Sequence, residues 1–338
     1  MKLLVLDGNS IINRAFYGIK LLTTKDGRYT NAIYGFMNIF YKLCDELHPD
    51  SVAFAFDLKA PTFRHKMYDE YKAGRKPMPP ELAEQMPVLK DLLRALGYKI
   101  VTKEGYEADD ILGTLAFSCK DGDECYIATG DRDSLQLVGD NVKVLLASTK
   151  MGRPETNIYD VKRIKDDYGV TPHQLIDIKA LMGDSSDNIP GVSGVGQKTA
   201  QSLISELGSI QKIYDNIDTI DIRETLRNKL KNDKDSAFMS YKLGEICKSV
   251  PIETDYSFYV PDEGDKSEAL SILRSLEMYK LIDKIGLNTV TYDAKPENTT
   301  VKEYKRVNSL NDFLLKANKL YFVYSVKAVS YTHLTLPT

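Results

Sequence analysis

The sequence predicts an α/β fold built on a parallel sheet, and three observations lead to this prediction. Several apolar runs are continuous instead of alternating, which is typical of strands covered on both faces, and these runs end at Asp7, Asp57 and Asp131. Helix-length segments with apolar residues at three- and four-residue spacing lie at 32–47, 80–96 and 108–118. Strands and helices thus alternate along the chain, as they do in α/β proteins.

The length of the chain allows about two folded units. It has 338 residues, of which 43% are hydrophobic, so it can bury a sizeable core. We expect the α/β core at 1–170 and a helical subdomain at 171–287, where glycine-rich turns separate short helices and no strand pattern is present. Residues 288–305 are polar, as in a linker. Residues 306–338 contain one strand-like run and predict the truncated beginning of a further domain, with an unmatched tail.

The composition argues against several classes of protein. No segment is long and apolar enough to span a bilayer, and no basic and apolar leader precedes the first strand, so we expect an intracellular, cytoplasmic protein. Four cysteines lie far apart without a C-x-x-C pair, which argues against a disulfide framework and a zinc-thiolate site. The net charge of -3 is unusual for a protein that binds nucleic acid, unless acids and bases are segregated along the chain.

Nine carboxylates occupy positions from which they can converge. Ligands of open α/β sheets bind beyond the carboxyl ends of the strands, and three predicted strands place an aspartate there. Other acids begin a predicted helix, follow the third strand or precede a glycine-rich turn. The full set is Asp7, Asp57, Glu107, Asp109, Asp110, Asp131, Asp133, Asp184 and Asp187.

The charge of this acidic set predicts bound cations. Converging carboxylates repel one another strongly in a cleft, so divalent ions are expected among them. Oxygen ligands without nearby Cys or His favour Mg²⁺ or Mn²⁺ over Zn²⁺, which indicates phosphate chemistry. Taken singly, an Asp-Asp or Asp-x-Asp pair is usual at a helix start or a turn. The combination of four acidic clusters on separate elements is what favours the metal site.

A basic segment follows the Asp57 strand. Residues 59–77 contain six Lys and Arg against two acidic residues, with Phe63, Tyr68 and Tyr71 interleaved. Cations can hold phosphates while aromatic rings stack on unpaired bases, so the segment suits single-stranded or frayed nucleic acid. A solvated charged loop is the alternative interpretation.

Three glycines, Gly191, Gly194 and Gly196, lie just before a predicted helix that carries Lys198. Such a turn exposes backbone N–H groups at a helix N-terminus, where anions bind well. A plain connection between helices is the alternative. The spacing favours a helix-hairpin-helix at about 183–207 that holds the duplex backbone without reading sequence.

Together these residues resemble the 5′-nuclease domain family of bacterial DNA polymerase I and, more distantly, the flap endonucleases. The resemblance covers about residues 1–290. Its motifs occur in the family's order: Leu6–Asn9, Phe56–Asp57, Phe63–Arg64, Tyr71–Arg75, Gly105–Asp110, Thr129–Asp133 and Gly183–Val192.

The resemblance implies a PIN-like nuclease core with a helix-hairpin-helix extension and a role for each motif. Catalysis would use two or more Mg²⁺ or Mn²⁺ ions. One would be held by Asp7, Asp57, Glu107 and Asp109, with Asp110 nearby, and the second by Asp131, Asp133, Asp184 and Asp187. An arch at about 60–97 would carry the DNA-binding residues Phe63, Arg64, Tyr71, Lys72 and Arg75. Arg14 would lie near the scissile phosphate.

The same resemblance implies the partners of the protein. They are DNA with 5′ ends, flaps or nicks, and RNA primers in RNA–DNA hybrids. The protein that cuts them would be a monomer at the bacterial nucleoid. A monovalent cation at the glycine hairpin, which includes Gly191, Gly194, Gly196 and Lys198, is a further expectation. Two other functions stay open: a PIN-like ribonuclease, and a DNA-binding module without activity.

Overall fold

A computed structural model describes residues 1–150 and 153–289. The predicted further domain at 306–338, and all but the first two residues of the predicted linker at 288–305, lie outside the described residues. A helix that crosses a bilayer must be both long and apolar, and the part of the chain that the structure describes contains none.

The centre of the fold is a six-stranded sheet with the strand order β3-β2-β1-β4-β5-β6. The strands are β1 (Lys2–Asp7), β2 (Ser51–Ala55), β3 (Lys99–Val101), β4 (Glu124–Thr129), β5 (Val142–Lys150) and β6 (Arg153–Tyr159). The first five are parallel, and β6 pairs antiparallel with β5 at one edge. The predicted parallel sheet is confirmed, and the three strands predicted from apolar runs are its adjacent strands β2, β1 and β4.

The helices of the core agree with the apolar spacing. They are α1 (Gly8–Gly18), α2 (Asn31–Leu47), α3 (Phe63–Met67), α4 (Pro80–Ala83), α5 (Gln85–Ala95), α6 (Ala108–Phe117) and α7 (Val161–Tyr168). A 3₁₀ turn at Arg132–Leu137 follows β4. The predictions at 32–47 and 108–118 therefore match α2 and α6 to within a residue.

Both faces of the sheet are covered, which explains the continuous apolar runs. Along β1, Leu4 and Leu6 lie in a buried cluster with residues of α1, α2 and α5. Leu3 and Val5 point to the opposite face and share a second cluster with residues of α6. A strand with two buried faces has no polar alternation to read in its sequence.

The predicted arch at 60–97 includes core helix α5, whereas its basic segment at 59–77 is mostly not helical. Leu89, Leu92 and Leu93 of α5 are fully buried in the core, because they form the apolar face of a helix that packs beside the sheet. Beyond the five residues of α3, the basic segment passes through turns until α4 begins at Pro80. Lys72, Arg75 and Lys76 of this segment line a pocket with Asp7 and Asp57, at the carboxyl ends of β1 and β2.

Residues 171–289 are helical, and no strand of the sheet comes from them. Their helices are α8 (Gln174–Met182), α9 (Gln197–Leu207), α10 (Ile210–Asp215), α11 (Glu224–Asn232), α12 (Lys234–Gly244), α13 (Lys266–Ser275) and α14 (Tyr279–Lys284), with 3₁₀ turns at Tyr256–Tyr259 and Leu287–Thr289. This part packs with the α/β core as one compact unit, so the division at residue 170 stays a prediction.

Candidate active site

Three aspartates leave the sheet at the carboxyl ends of neighbouring strands. Asp7 is the last residue of β1, and its carboxylate accepts hydrogen bonds from the Ser10 amide at 2.9 Å and the Thr129 hydroxyl at 2.8 Å. Asp57 lies just beyond β2 and accepts a 2.7 Å bond from the backbone N–H of Ala108. Asp131 follows β4 and caps the 3₁₀ turn. Because β2, β1 and β4 are adjacent and parallel, all three side chains reach one edge.

These aspartates share a cleft of about 420 Å³ with two acids from the start of α6. We call the five carboxylates that line it the strand-end group: Asp7, Asp57, Glu107, Asp109 and Asp131. The cleft is also lined by Lys72 and Arg75 of the basic segment. The structure thus brings together the residues that the sequence placed at separate strand ends.

Two members of the strand-end group, Asp7 and Asp109, are buried beside other carboxylates. Burial, and then the charges of Asp57 and Asp131, raise the pKa of Asp7 to about 7 in spite of its two hydrogen bonds. The pKa of Asp109 is raised well above its ordinary value by burial and by the neighbouring carboxylates. One oxygen of Asp109 is buried without any hydrogen-bond partner. Such an oxygen is costly unless something binds it, and a hard cation with oxygen ligands fits this position.

Three further carboxylates form a tighter cluster, which we call the three-aspartate group: Asp133, Asp184 and Asp187. Each offers one oxygen, and the three oxygens lie within 4.8 Å of one another. Among the described residues, no other group of three or more His, Cys, Asp or Glu side chains meets this condition. Asp133 belongs to the core, and the other two follow α8, so the group joins the core to the helical part.

The three-aspartate group already contains protein cations. The ammonium of Lys179, on α8, contacts Asp133 and lies 2.8 Å from a carboxylate oxygen of Asp184. A guanidinium nitrogen of Arg75 lies 2.5 Å from Asp187. Burial opposes ionisation of Asp184, but hydrogen bonds from Lys179 and Ser186 outweigh it and lower the pKa to about 2.

Lys179 was missed by the sequence reasoning. Its only signal is its place between Ile178 and Ala180 in a mostly apolar segment, where a lysine side chain must be buried or must extend to the surface. Burial opposes its charge, but Asp133 and Asp184 outweigh burial and raise the pKa of Lys179. The side chain is therefore a charged, buried lysine.

The basic segment folds down onto the cleft. The ammonium of Lys72 lies 2.7 Å from one carboxylate oxygen of Glu107, and the Tyr71 hydroxyl donates to the other at 3.1 Å. The backbone N–H of Lys72 also donates to the carbonyl of Asp187 at 2.9 Å. Lys72 and Arg75 thus lie at the carboxylates, whereas Tyr71 is only 4% exposed and presents no open ring face for a base in this structure.

Two predicted site residues bind each other instead. Arg64 is 2% exposed and forms two 2.8 Å hydrogen bonds with the carboxylate of Asp110, which is fully buried. Arg64 also donates to the carbonyl oxygens of Leu243 and Glu245, at 2.9 and 2.8 Å. In this structure Asp110 is not among the residues that line the acidic cleft and Arg64 is buried in ion pairs, so their roles at the metal and on DNA stay predictions. Helical spacing placed Asp110 beside Glu107, but the tertiary fold gives it a buried cation.

Phe63 and Arg14 lie at the margins of the site. The Phe63 ring is half-buried against Tyr106, with its centroid 5.9 Å from that ring, and the Arg64 guanidinium lies over it. Arg14 lines a neighbouring cavity that shares Ser10 and Asn13 with the acidic cleft. Burial lowers the pKa of Arg14 from its ordinary value.

The glycine hairpin connects α8 to α9, as the spacing predicts. Gly191 and Gly194 have φ angles of +64° and +70°, which favour glycine. A Cβ at Gly191 would lie 2.3 Å from the backbone nitrogen of Gly183, so no larger residue fits there. Gly196 is the N-cap of α9, and Lys198 is exposed in its first turn. The turn therefore presents a helix N-terminus and a cation to solvent.

Two models of known protein families match adjoining parts of this chain. The family model for the N-terminal resolvase-like domain of 5′-3′ exonucleases matches residues 2–169, and the model for their C-terminal SAM fold matches residues 170–267. The DNA polymerase I of Caldicellulosiruptor bescii is 41% identical over 331 residues, or 97% of this chain. The chain spans 39% of the length of that relative.

Solved structures have the same fold. T5 5′-exonuclease with bound zinc ions is 22% identical with a TM-score of 0.59, over 81% of this chain and 99% of that chain. The catalytic core of Rad2 in complex with a DNA substrate is 19% identical with a TM-score of 0.55, over 86% and 92% of the two chains. The predicted nuclease-type α/β core with a helical extension is thereby confirmed. Since two adjoining family models cover residues 2–267 without a gap, the chain belongs to the 5′-3′ exonuclease family.

Proposed function

We propose that this chain is a metal-dependent 5′-nuclease that hydrolyses DNA phosphodiester bonds at 5′ ends, flaps and nicks. The observation that carries the proposal is the meeting of eight carboxylates with Lys72 and Arg75 at the carboxyl edge of the sheet. Carboxylates alone would repel a phosphate. An acidic cleft lined by cations suits a phosphate only when divalent ions complete the charge balance.

The residues present fit Mg²⁺ or Mn²⁺ at two positions. The strand-end group would hold one ion, and the three-aspartate group would hold the second, with oxygen ligands throughout. Bound there, divalent ions would neutralise the carboxylates, activate a water and stabilise the leaving oxygen. The unpartnered buried oxygen of Asp109 supports the first position, and the 4.8 Å spacing of Asp133, Asp184 and Asp187 supports the second.

The chain's own cations would bind the phosphate. Lys72 is paired with Glu107 of the core, and Arg75 is paired with Asp187 of the helical part. A phosphodiester entering the cleft would take over part of each pairing, since the phosphate oxygens are acceptors of the same kind. The charge that develops on the phosphate during attack is then stabilised by groups that are already oriented.

The glycine hairpin would hold the duplex next to the cleft. Exposed Lys198 and the N-terminus of α9 suit backbone phosphates, and such contacts do not depend on base sequence. A monovalent cation at this hairpin belongs to the same proposal. A Rad2 core of the same fold was solved with a DNA substrate, which supports DNA as the partner.

Finer features extend the proposal. RNA primers in RNA–DNA hybrids would be substrates, since hairpin contacts to the phosphate backbone do not require deoxyribose. We further infer a monomer that works in the bacterial cytoplasm at the nucleoid. Sedimentation of the purified chain tests the monomer directly.

Cleavage of a 5′-labelled flap substrate by the purified chain tests the main proposal. With Mg²⁺ we expect shortened products with a 5′-phosphate, and with EDTA we expect none. Asp131→Ala, which removes a cleft carboxylate, is the matched inactive variant. Cutting of single-stranded RNA in preference to flapped DNA would identify a ribonuclease instead, and Mg²⁺-dependent binding without any cutting would identify an inactive module.

A further inference from the structure

Lys179 occupies an unusual place between two proposed metal ligands. Its ammonium contacts Asp133 and lies 2.8 Å from Asp184, while its side chain is only 9% exposed. The stem packs over Gly244 of α12, where an added Cβ would be 3.3 Å from the Lys179 Cδ. The ammonium therefore lies within the oxygen cluster that would hold the second ion.

The charges of the three-aspartate group show what this ammonium does. Three carboxylates are gathered within 4.8 Å, and Lys179 and Arg75 neutralise two of the three charges. A divalent ion at the same oxygens would bring the positive charge to four against three, within contact distance. Two cations of like charge cannot share these oxygens closely, so one must move.

We propose that Lys179 is a displaceable resident cation of the three-aspartate group, whose ammonium must leave the Asp133 and Asp184 oxygens before a divalent ion binds there. This inference rests on the proposed function, because it assumes that the group is a metal position. Lysine suits the role better than arginine, since its ammonium is a point charge on a flexible stem. The lysine keeps the metal-free site from repelling itself and weakens metal binding there.

The structure also offers a place for the displaced ammonium. Lys179, Asp133 and Asp184 line a cavity of about 180 Å³, whose wall includes Gln136 and Gln201. Amide oxygens on that wall can accept hydrogen bonds from an ammonium. A rotation about the outer bonds of the Lys179 side chain would move the charge into this cavity.

Manganese binding to the full-length chain tests the proposal without any measurement of cleavage. Free Mn²⁺ is counted by electron paramagnetic resonance during a titration of wild type, Lys179→Met and Lys179→Arg. Lys165→Met, on the exposed side of α7, is the control with the same loss of charge. Asp184→Asn identifies which of the bound ions belongs to the three-aspartate group.

We expect Lys179→Met to bind the Asp184-dependent ion about tenfold more tightly, because an ion pair no longer competes. The other ion should bind as in wild type, and Lys179→Arg should not show the gain. Equal affinity in wild type and Lys179→Met, or the same gain in Lys165→Met, overturns the inference. A wild-type chain that binds no Mn²⁺ at all overturns the proposed function instead.

Thermal unfolding provides a second readout that a misfolded variant could not imitate. In EDTA, Lys179→Met should unfold at a lower temperature than wild type, since Asp133 and Asp184 lose their cation. Saturating Mn²⁺ should raise its melting temperature by more than it raises that of wild type. An equal rise in the two proteins contradicts the displacement of Lys179.

Discussion

The two carboxylate groups of this cleft solve the same electrostatic problem in different ways. In the strand-end group, Asp7 and Asp109 are buried with raised pKa values, and one oxygen of Asp109 has no partner. Lys72 and Arg64 pair with Glu107 of that group, whereas in the three-aspartate group Lys179 and Arg75 pair with all three carboxylates. The first group stores repulsion that a bound ion would relieve, whereas the second is largely neutralised before any ion arrives.

This difference shows that residue type alone does not set the affinity of an acidic site. Eight acidic side chains lie in one region, yet those without cations nearby should bind metal most strongly. On the proposed function, the strand-end group needs an ion for its own stability and the three-aspartate group does not. The predictions below test that separation.

The largest expected effect comes from one substitution in each group. Asp109→Asn should lower flap cleavage about 10³-fold, as expected when a transition-state electrostatic contact is lost. In EDTA the same change should raise the melting temperature, because it removes a buried charge without a partner. Asp184→Asn should lower the melting temperature in EDTA, because Lys179 loses one of its two carboxylates. Melting temperatures in EDTA that change in the same direction in both variants would contradict the difference between the two groups.

The next largest effect concerns the buried ion pair of Arg64 and Asp110. Arg64→Ala should destabilise the protein by about 3 kcal/mol, because it leaves Asp110 buried without its cation. Urea unfolding measures this loss. Arg94→Ala is the matched control, since its pair with Asp91 is solvent-exposed and should contribute little. A similar loss in both variants would mean that burial of the Arg64 pair does not matter.

A smaller effect is expected from Lys72, the cation nearest to the strand-end group. Lys72→Ala should reduce single-turnover cleavage about 10²-fold, because it removes charge that would stabilise the reacting phosphate. Duplex affinity should change little, since the glycine hairpin is the part proposed to hold the duplex. Lys66→Ala, exposed on α3, changes the charge of the same segment and serves as the control. Lys72→Ala kinetics that match wild type would refute the role.

The smallest effect, taken per pH unit, is a pH dependence of stability with opposite signs in the two groups. Asp7 has a folded pKa near 7 against an ordinary 3.8, so the folded state binds the extra proton and loses stability as pH rises from about 4 to 7. Asp184, with a folded pKa of about 2, contributes stability above pH 4 that is lost as pH falls towards 2. Each group changes stability by at most about 1.4 kcal/mol per pH unit.

Urea unfolding in EDTA between pH 4.5 and 7.5 measures the part of this dependence that comes from Asp7. We expect the stability of Asp7→Asn relative to wild type to increase with pH, because the variant lacks the group that must ionise. Parallel profiles for the two proteins would show that the Asp7 carboxylate is not strained by its neighbours.

The sequence by itself determined the parallel sheet, the helices that cover it and the meeting of the strand-end aspartates. These features follow from local patterns: continuous apolar runs predict buried parallel strands, and the carboxyl ends of such strands lie at one edge. It did not reveal β3, which has three half-buried residues, or β5 and the polar edge strand β6. Short and edge strands depend on their neighbours more than on their own composition.

Only the tertiary structure decided which charges pair. Arg64 binds Asp110, and Lys179 binds Asp133, and in both pairs the partners are 46 positions apart in sequence. No spacing rule reaches across such a distance, because the pairing depends on how α3, α6 and α8 pack against the sheet. For that reason the sequence could supply a list of carboxylates, but not which of them already have a cation within the protein.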